Sequence, residues 1–508
     1  MYLIGVDIGT SGTKTVLFDY TGKTVASALY EYPMYQPKIG WAEQDPQDWW
    51  KASYMSINEV VKKSGINPSD VKGIGLSGQM HGLVMLDKSG SVLRRSIIWC
   101  DQRTGAECVQ ITDKIGAERL IEITANPALT GFTASKIVWV QNNEPETYEK
   151  CKHILLPKDY IRHMLTGELA TEVSDASGMQ LLDIKNRCWS DEVLGKLNID
   201  KSMLGSMHES CEITGCLTAE AAKLCGLPQG VSVVGGAGDQ AACAVGNGIV
   251  KQGLISSTIG TSGVVFAHLD KPAIDKQGRV HTFCHAVPGA WHVMGVMQSA
   301  GLSLKWYRDN FCISEKETAE AMGVDPYYLM DKQAERVPVG SNGVIYLPYL
   351  MGERTPHLDP IAKGVFFGLS AIHTKTDMLR AVMEGVTYSL KDCMEIIAEM
   401  GVSSTNVRAS GGGGKSPLWK QMQSDVFNTP VETLSLSEGG ALGVALLAGV
   451  GTGVYKSVPE ACDAVLSVKS SLSPIKENTE LYNKYYNIYT KLYPALKEQY
   501  KAINDILN

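Results

Sequence analysis

Ile8-Gly9-Thr10-Ser11-Gly12 recurs letter for letter as Ile259-Gly260-Thr261-Ser262-Gly263, about half of the 508-residue chain further on. Each copy is flanked by β-prone residues, so each reads as the turn of a hairpin that opens its own domain. Repetition at this spacing predicts two related α/β domains facing one another. Length agrees, since 508 residues exceed what one ordinary core holds. The domains are expected at 1–247 and 248–508, where Gly246-Asn247-Gly248-Ile249-Val250 supplies flexible joints.

Within the first hairpin, Tyr2 to Val6 reads as a strand, Asp7 to Gly12 as the turn and Thr13 to Phe18 as the return, with a third strand after Thr21-Gly22. Val71 to Leu76 and Leu83 to Leu86 are further β-prone runs. Gly439 to Gly449 is small and apolar, too short for a bilayer, and suits a helix packed closely on a sheet. Tyr482, Tyr485, Tyr489 and Leu492 recur at helical spacing as a docking face, which Pro494 would kink.

A net charge of -7 offers no basic field to a nucleic acid or an anionic membrane, so neither is an expected partner. No apolar run reaches membrane-spanning length, and the N-terminus lacks the pattern of a signal peptide. Twelve scattered cysteines without a Cys-x-x-Cys pair read as reduced thiols, hence a cytoplasmic location. His281, Cys284, His285 and His292 invite a metal reading, but three of them share five residues of one apparent strand, so packing is preferred.

Asp7 beside Gly9-Thr10-Ser11-Gly12 puts a carboxylate next to open backbone amides. Glycine lets the main chain approach a phosphate, and the hydroxyls of Thr10 and Ser11 can donate to it. The acid makes sense there as the holder of a hydrated Mg²⁺; otherwise it is a turn aspartate. Gly411-Gly412-Gly413-Gly414-Lys415-Ser416 nearly matches a P-loop, yet Ala409 stands where its first glycine belongs. A strand-to-helix turn that lets an adenine ring lie on the backbone suits it better. Asp239 follows the apolar run and glycines of 233–238 and precedes a small-residue helix, which places an acid at the edge of a cleft as a base or, alternatively, as a helix cap. Gln79-Met80-His81-Gly82 offers an amide, an apolar wall and an imidazole, suited to a polyhydroxylated sugar. Trp99 to Arg103 could add an acid and a base there, or form a surface ion pair.

Gly131 to Trp139 and Gly364 to Leu369, continued by Ala381 to Glu384, resemble the two signatures of the FGGY carbohydrate kinases, and the likeness runs from Asp7 to the tyrosine helix. Within that family Gly78 to Gly82, Leu156 to Tyr160 and Gly352 to Pro356 point to the branch acting on D-xylulose. The resemblance implies two actin-like (RNase-H-like) domains, each with a mixed five-stranded sheet flanked by helices, closing over a cleft. It implies ATP and Mg²⁺ as cofactors, D-xylulose as the sugar, and allows a homodimer. Asp239 would then take the proton from the 5-hydroxyl, and Asp7 would act near Mg²⁺. Gln79, Met80, His81 and Gln240 would contact the sugar. Thr10, Ser11, Lys14, Gly260, Thr261, Gly412, Gly413 and Ser416 would hold ATP. Readings kept alongside are a family kinase for another pentulose, hexulose or polyol, an actin-like assembly ATPase, and a silent sugar sensor.

Overall fold

The computed structural model describes residues 1–436 and 438–507. Its first sheet begins with β1 (Tyr2–Ile8), β2 (Gly12–Asp19) and β3 (Thr24–Glu31), an antiparallel meander. The first strand is longer than expected: Asp7 lies inside it, opposite Lys14, because the turn needs only residues 9–11. β4 (Val71–Gly78) runs parallel to β1, and β5 (Ile213–Cys216), β6 (Ser232–Val234) and β7 (Ala237–Gly238) complete the order β5-β6-β4-β1-β2-β3, with β7 extending along the end of β4. Helices of this half include α1 (Pro46–Ser64), α2 (Thr133–Asn143), α3 (Pro157–Thr166), α4 (Val173–Ala176) and α5 (Asp239–Gly246).

The second sheet repeats the plan. β8 (Leu254–Ile259) and β9 (Gly263–Leu269) form the second hairpin; β10 (His281–Cys284), β11 (Trp291–Met297), β12 (Asn406–Gly411), β13 (Val431–Leu434) and β14 (Val468–Leu472) give the order β10-β11-β9-β8-β12-β13-β14. In both halves a hairpin is followed by two parallel strands, and a mixed core of five strands carries additions at its edges: β5 and β7 in one, β10 and β14 in the other. The associated helices are α6 (Gly301–Phe311), α7 (Lys375–Glu399), α8 (Pro417–Phe427), α9 (Gly439–Gly451) and α10 (Lys476–Leu507). Buried Tyr482, Tyr489 and Leu492 fasten α10 to the second core, and this helix runs on through Pro494. No helix among the described residues is long and apolar enough to cross a membrane.

One helix crosses between the halves. Although α9 lies late in the chain, Ala441 to Ala448 join the core made by Leu3, Val16 and α5. Its small residues let it lie on the glycine track of β1 and β4: a methyl group at Gly440 would come within 3.4 Å of the Asp7 carboxylate. The expected flexible joint is instead packed, with Ile249 fully buried and the carbonyl of Asn247 held by the Arg408 guanidinium.

Candidate active site

β1, β4 and β7 end at the same edge, since Ile8 pairs with Gly78 and Gly78 with Gly238. That register delivers Asp7 and Asp239 to one place. Ser77 Oγ donates to Asp7 Oδ1 at 2.7 Å. Burial raises the Asp7 carboxyl above its ordinary value, opposed by this bond and by the charge of Lys14. Asp239 opens α5 as its first residue, and burial together with the Asp7 charge pushes it up to about 7. Gln240 opposes that rise by hydrogen-bonding the Asp239 carboxylate from its backbone and its side chain. An acid with this affinity for protons can accept one near neutrality.

Behind the acids lies the turn after β4. His81 has φ 71°, in the left-handed region. Three donors fix that backbone and ring: Lys136 Nζ donates to the His81 carbonyl at 2.8 Å, Thr133 Oγ1 does so at 3.1 Å, and His81 Nδ1 donates to the Gly178 carbonyl at 2.7 Å. Burial, with the nearby Lys136 charge, pushes His81 down to about 3, so the ring is neutral and its Nε2 carries a lone pair. Phe132 lies 4.7 Å from the ring and Phe283, from β10, 6.4 Å. Met80 packs on Gly238 and Gly178; a methyl at Gly178 would come 2.5 Å from His81 Nδ1, so only glycine fits. Gln79 is 1% exposed, its Nε2 donating to Gln44 Oε1 at 2.7 Å and reaching the Gly9 carbonyl at 3.4 Å, which braces the first hairpin turn, while its Oε1 has no hydrogen-bond partner among the described residues.

The second and third glycine loops meet. Gly9 N donates to Gly12 O, and Gly260 N to Ser262 O, each at 3.0 Å, so each turn closes on the amide of its first glycine, the second turn one residue earlier than the first. The carbonyls of Gly260 and Thr261 accept from amides at the start of α6, and Gly413 N donates to Ile259 O at 3.3 Å, which stitches the third loop to the second. Beside Gly260 and Gly412 the space is open: a methyl group would meet nothing nearer than 3.7 Å. Thr10 Oγ1 accepts from Trp99 Nε1 at 2.9 Å, and Ser11 is exposed. Lys14 is ion-paired across the halves with Glu438 at 2.6 Å. Ser416 Oγ accepts from Trp419 N at 3.0 Å as the cap of α8, which uses one lone pair and leaves the hydroxyl still able to donate.

Other candidates resolve as packing. Asp101 and Arg103 form a buried bidentate pair whose acid also accepts from Ala42 N, far from a surface ion pair. His281 bonds Asn126, His285 Nε2 bonds the Ile249 carbonyl, and His292 stacks on Phe266 at 4.3 Å. Sequence reasoning passed over Lys136, Gly178 and Glu438 because each acts through a partner remote in sequence.

The chain matches two family models, the N-terminal domain of the FGGY family of carbohydrate kinases over residues 2–246 and the C-terminal domain over residues 255–452. It is 38% identical to the xylulose kinase of Bacillus subtilis over 99% of this chain and 98% of that one. It is 33% identical to the gluconokinase of the same organism, over 99% of this chain and 98% of that one. The crystal structure of xylulose kinase from Rhodospirillum rubrum superposes with a TM-score of 0.92 at 29% identity, covering 99% and 100% of the two chains. The duplicated sheets, the paired acids and these matches together make the chain a member of the FGGY carbohydrate kinases.

Proposed function

We propose that this protein transfers the γ-phosphate of ATP to the 5-hydroxyl of D-xylulose. The observation that carries the reading is Asp239, a base poised at about 7 beside Asp7 at the edge where both lobes meet. Xylulose kinases recur among its full-length relatives, which favours the ketose over gluconate.

Asp239 takes the hydroxyl proton as the oxygen attacks, a task that needs alignment within about 3 Å. Neutral His81 accepts from a sugar hydroxyl through Nε2, and Met80 supplies the apolar wall. The turns at Thr10–Ser11 and Gly260–Thr261, with Gly412 and Gly413, line the polyphosphate and adenosine of ATP. Lys14 adds a positive charge once it leaves Glu438. The donor set fits a hydrated divalent cation, since Asp7 and Asp239 are two acids close enough for the charge of one to raise the other, and Lys14, the lysine that acts on Asp7, is ion-paired with Glu438. Asp7 would hold Mg²⁺ through water, and the bound ion would offset phosphate charge. Lobe closure excludes water from the transfer. Phosphorus NMR of the product from ATP and D-xylulose tests this: a 5-phosphate ester is expected, and phosphate at another carbon, or none, contradicts it.

A further inference from the structure

Between β6 and α5 the chain leading to Asp239 is held at both ends by a buried charged cluster. Arg162 donates to the Gly235 carbonyl at 2.9 Å and pairs with Asp159 at 2.5 Å. Lys158 lies 2.7 Å from Asp159 and 3.3 Å from both Glu172 and Asp175. Burial raises the Asp175 carboxyl well above its ordinary value, and two cations face three acids. All five side chains are at most 1% exposed. Burying that many ionisable groups costs stability unless every one is satisfied. A geometric return is therefore expected, and it is found at Ser174.

Glu172 caps α4, accepting from Ser174 N at 2.7 Å and Asp175 N at 2.9 Å. It also accepts from Ser174 Oγ at 2.9 Å, which uses the single hydroxyl proton. The lone pair of Ser174 Oγ is thereby aimed at Gly238 N, which donates to it at 3.2 Å. Gly238 immediately precedes Asp239. Two residues after α4 ends, the Gly178 carbonyl holds His81 Nδ1. One short stretch thus grips both walls of the sugar site.

We propose that Ser174 is a positioning residue for phosphoryl transfer, setting the Asp239 carboxylate through the amide of Gly238, while the stretch that carries it sets His81 through Gly178. The inference rests on the kinase reading above. It touches no reacting atom itself.

Ser174→Ala leaves the Gly238 amide without its acceptor and frees Asp239 to drift relative to Asp7. A misplacement of about 1 Å is enough for a loss of about 100-fold in rate. The expected result is kcat lower by about 10- to 100-fold with the sugar KM within about threefold, a pattern of lost transition-state alignment. The acid limb of the pH profile moves with it, since the influence of Asp7 on Asp239 depends on their separation. Ser174→Thr keeps the hydroxyl and restores most of the rate. Should Ser174→Ala not fold, Ser174→Cys carries the same measurements. Hydrogen exchange at the Gly238 amide, read without substrate, should quicken in the Ala variant. Unchanged kcat with unchanged exchange overturns the proposal. So does an equal loss in Ser174→Thr with the acid limb in place, which would make Ser174 mere packing. If the wild-type protein phosphorylates no sugar, the function reading fails, and the exchange of Gly238 still decides whether Ser174 tethers it.

Discussion

Asp239→Asn should inactivate the protein and stabilise it. In the folded chain burial and Asp7 raise this carboxyl from 3.8 to about 7. The unfolded chain releases the proton near the ordinary value, so across that window the folded state binds more protons and stability falls as pH rises. About three units at about 1.4 kcal/mol each set an upper limit of about 4 kcal/mol above pH 7. Asp239 is half-buried, and solvent screening reduces this to about 1–3 kcal/mol. Asparagine carries no such penalty. For a lobe of this size each kcal/mol moves Tm by about 2–4 °C, so a gain of about 2–12 °C is expected near pH 8. The gain should shrink towards zero as the pH is lowered to about 4. Scanning calorimetry of both proteins across pH gives the answer. A variant that melts no higher than wild type at pH 8, or whose gain does not depend on pH, refutes the raised proton affinity of Asp239 and the reasoning built on it.

The same group governs rate. For the sugar, kcat/KM should fall below about pH 7 as Asp239 takes up a proton, and the residual activity of Asp7→Asn should show that limb at lower pH, because the charge raising Asp239 is gone. A limb that stays in place in Asp7→Asn contradicts the pairing. Lys14→Met should raise the KM for ATP by about tenfold and change the melting temperature little, since a half-exposed ion pair with Glu438 contributes about 0–1 kcal/mol. Lys136→Met removes the 2.8 Å donor that holds the His81 carbonyl, and should raise the KM for sugar several-fold while sparing that for ATP. Equal effects on both substrates would place Lys136 in general folding instead.

What could be read in advance were the features whose signal is local. The Ile-Gly-Thr-Ser-Gly turns declared themselves because a tight turn between two strands needs glycine and small hydroxyl residues at fixed places. Asp239 stood out at the junction of strand, glycines and helix. The bracing contact of Gln79 was not legible because a turn after a strand gives no period to tell inward from outward, and its partner Gln44, itself bonded by Trp49, is remote in sequence. The cap at Ser416 was legible as well: a serine before Pro417 and three residues before Trp419 is a helix start, with proline at the first helical position. Glu172 and Ser174 were passed over, and Lys158 was read only as part of the family-like run Leu156 to Tyr160, because their roles arise from a cluster assembled from α3, α4 and the approach to α5. Nor does the sequence near Gly439 say which sheet its helix will cover. Gly5 and Gly75, hundreds of residues away, supply the groove.

Sugar-dependent release of ADP tests the central claim most directly. Purified protein with ATP and Mg²⁺ would be offered D-xylulose, L-xylulose, D-ribulose, L-ribulose, D-fructose, glycerol and gluconate in parallel. The account expects D-xylulose to give the largest kcat/KM, by at least about tenfold over its epimers, because a site that bonds one set of hydroxyls leaves its polar groups unpaired with another. Gluconate or glycerol in first place would contradict the reading of Met80 and His81, and ADP release that ignores every sugar would contradict the kinase itself.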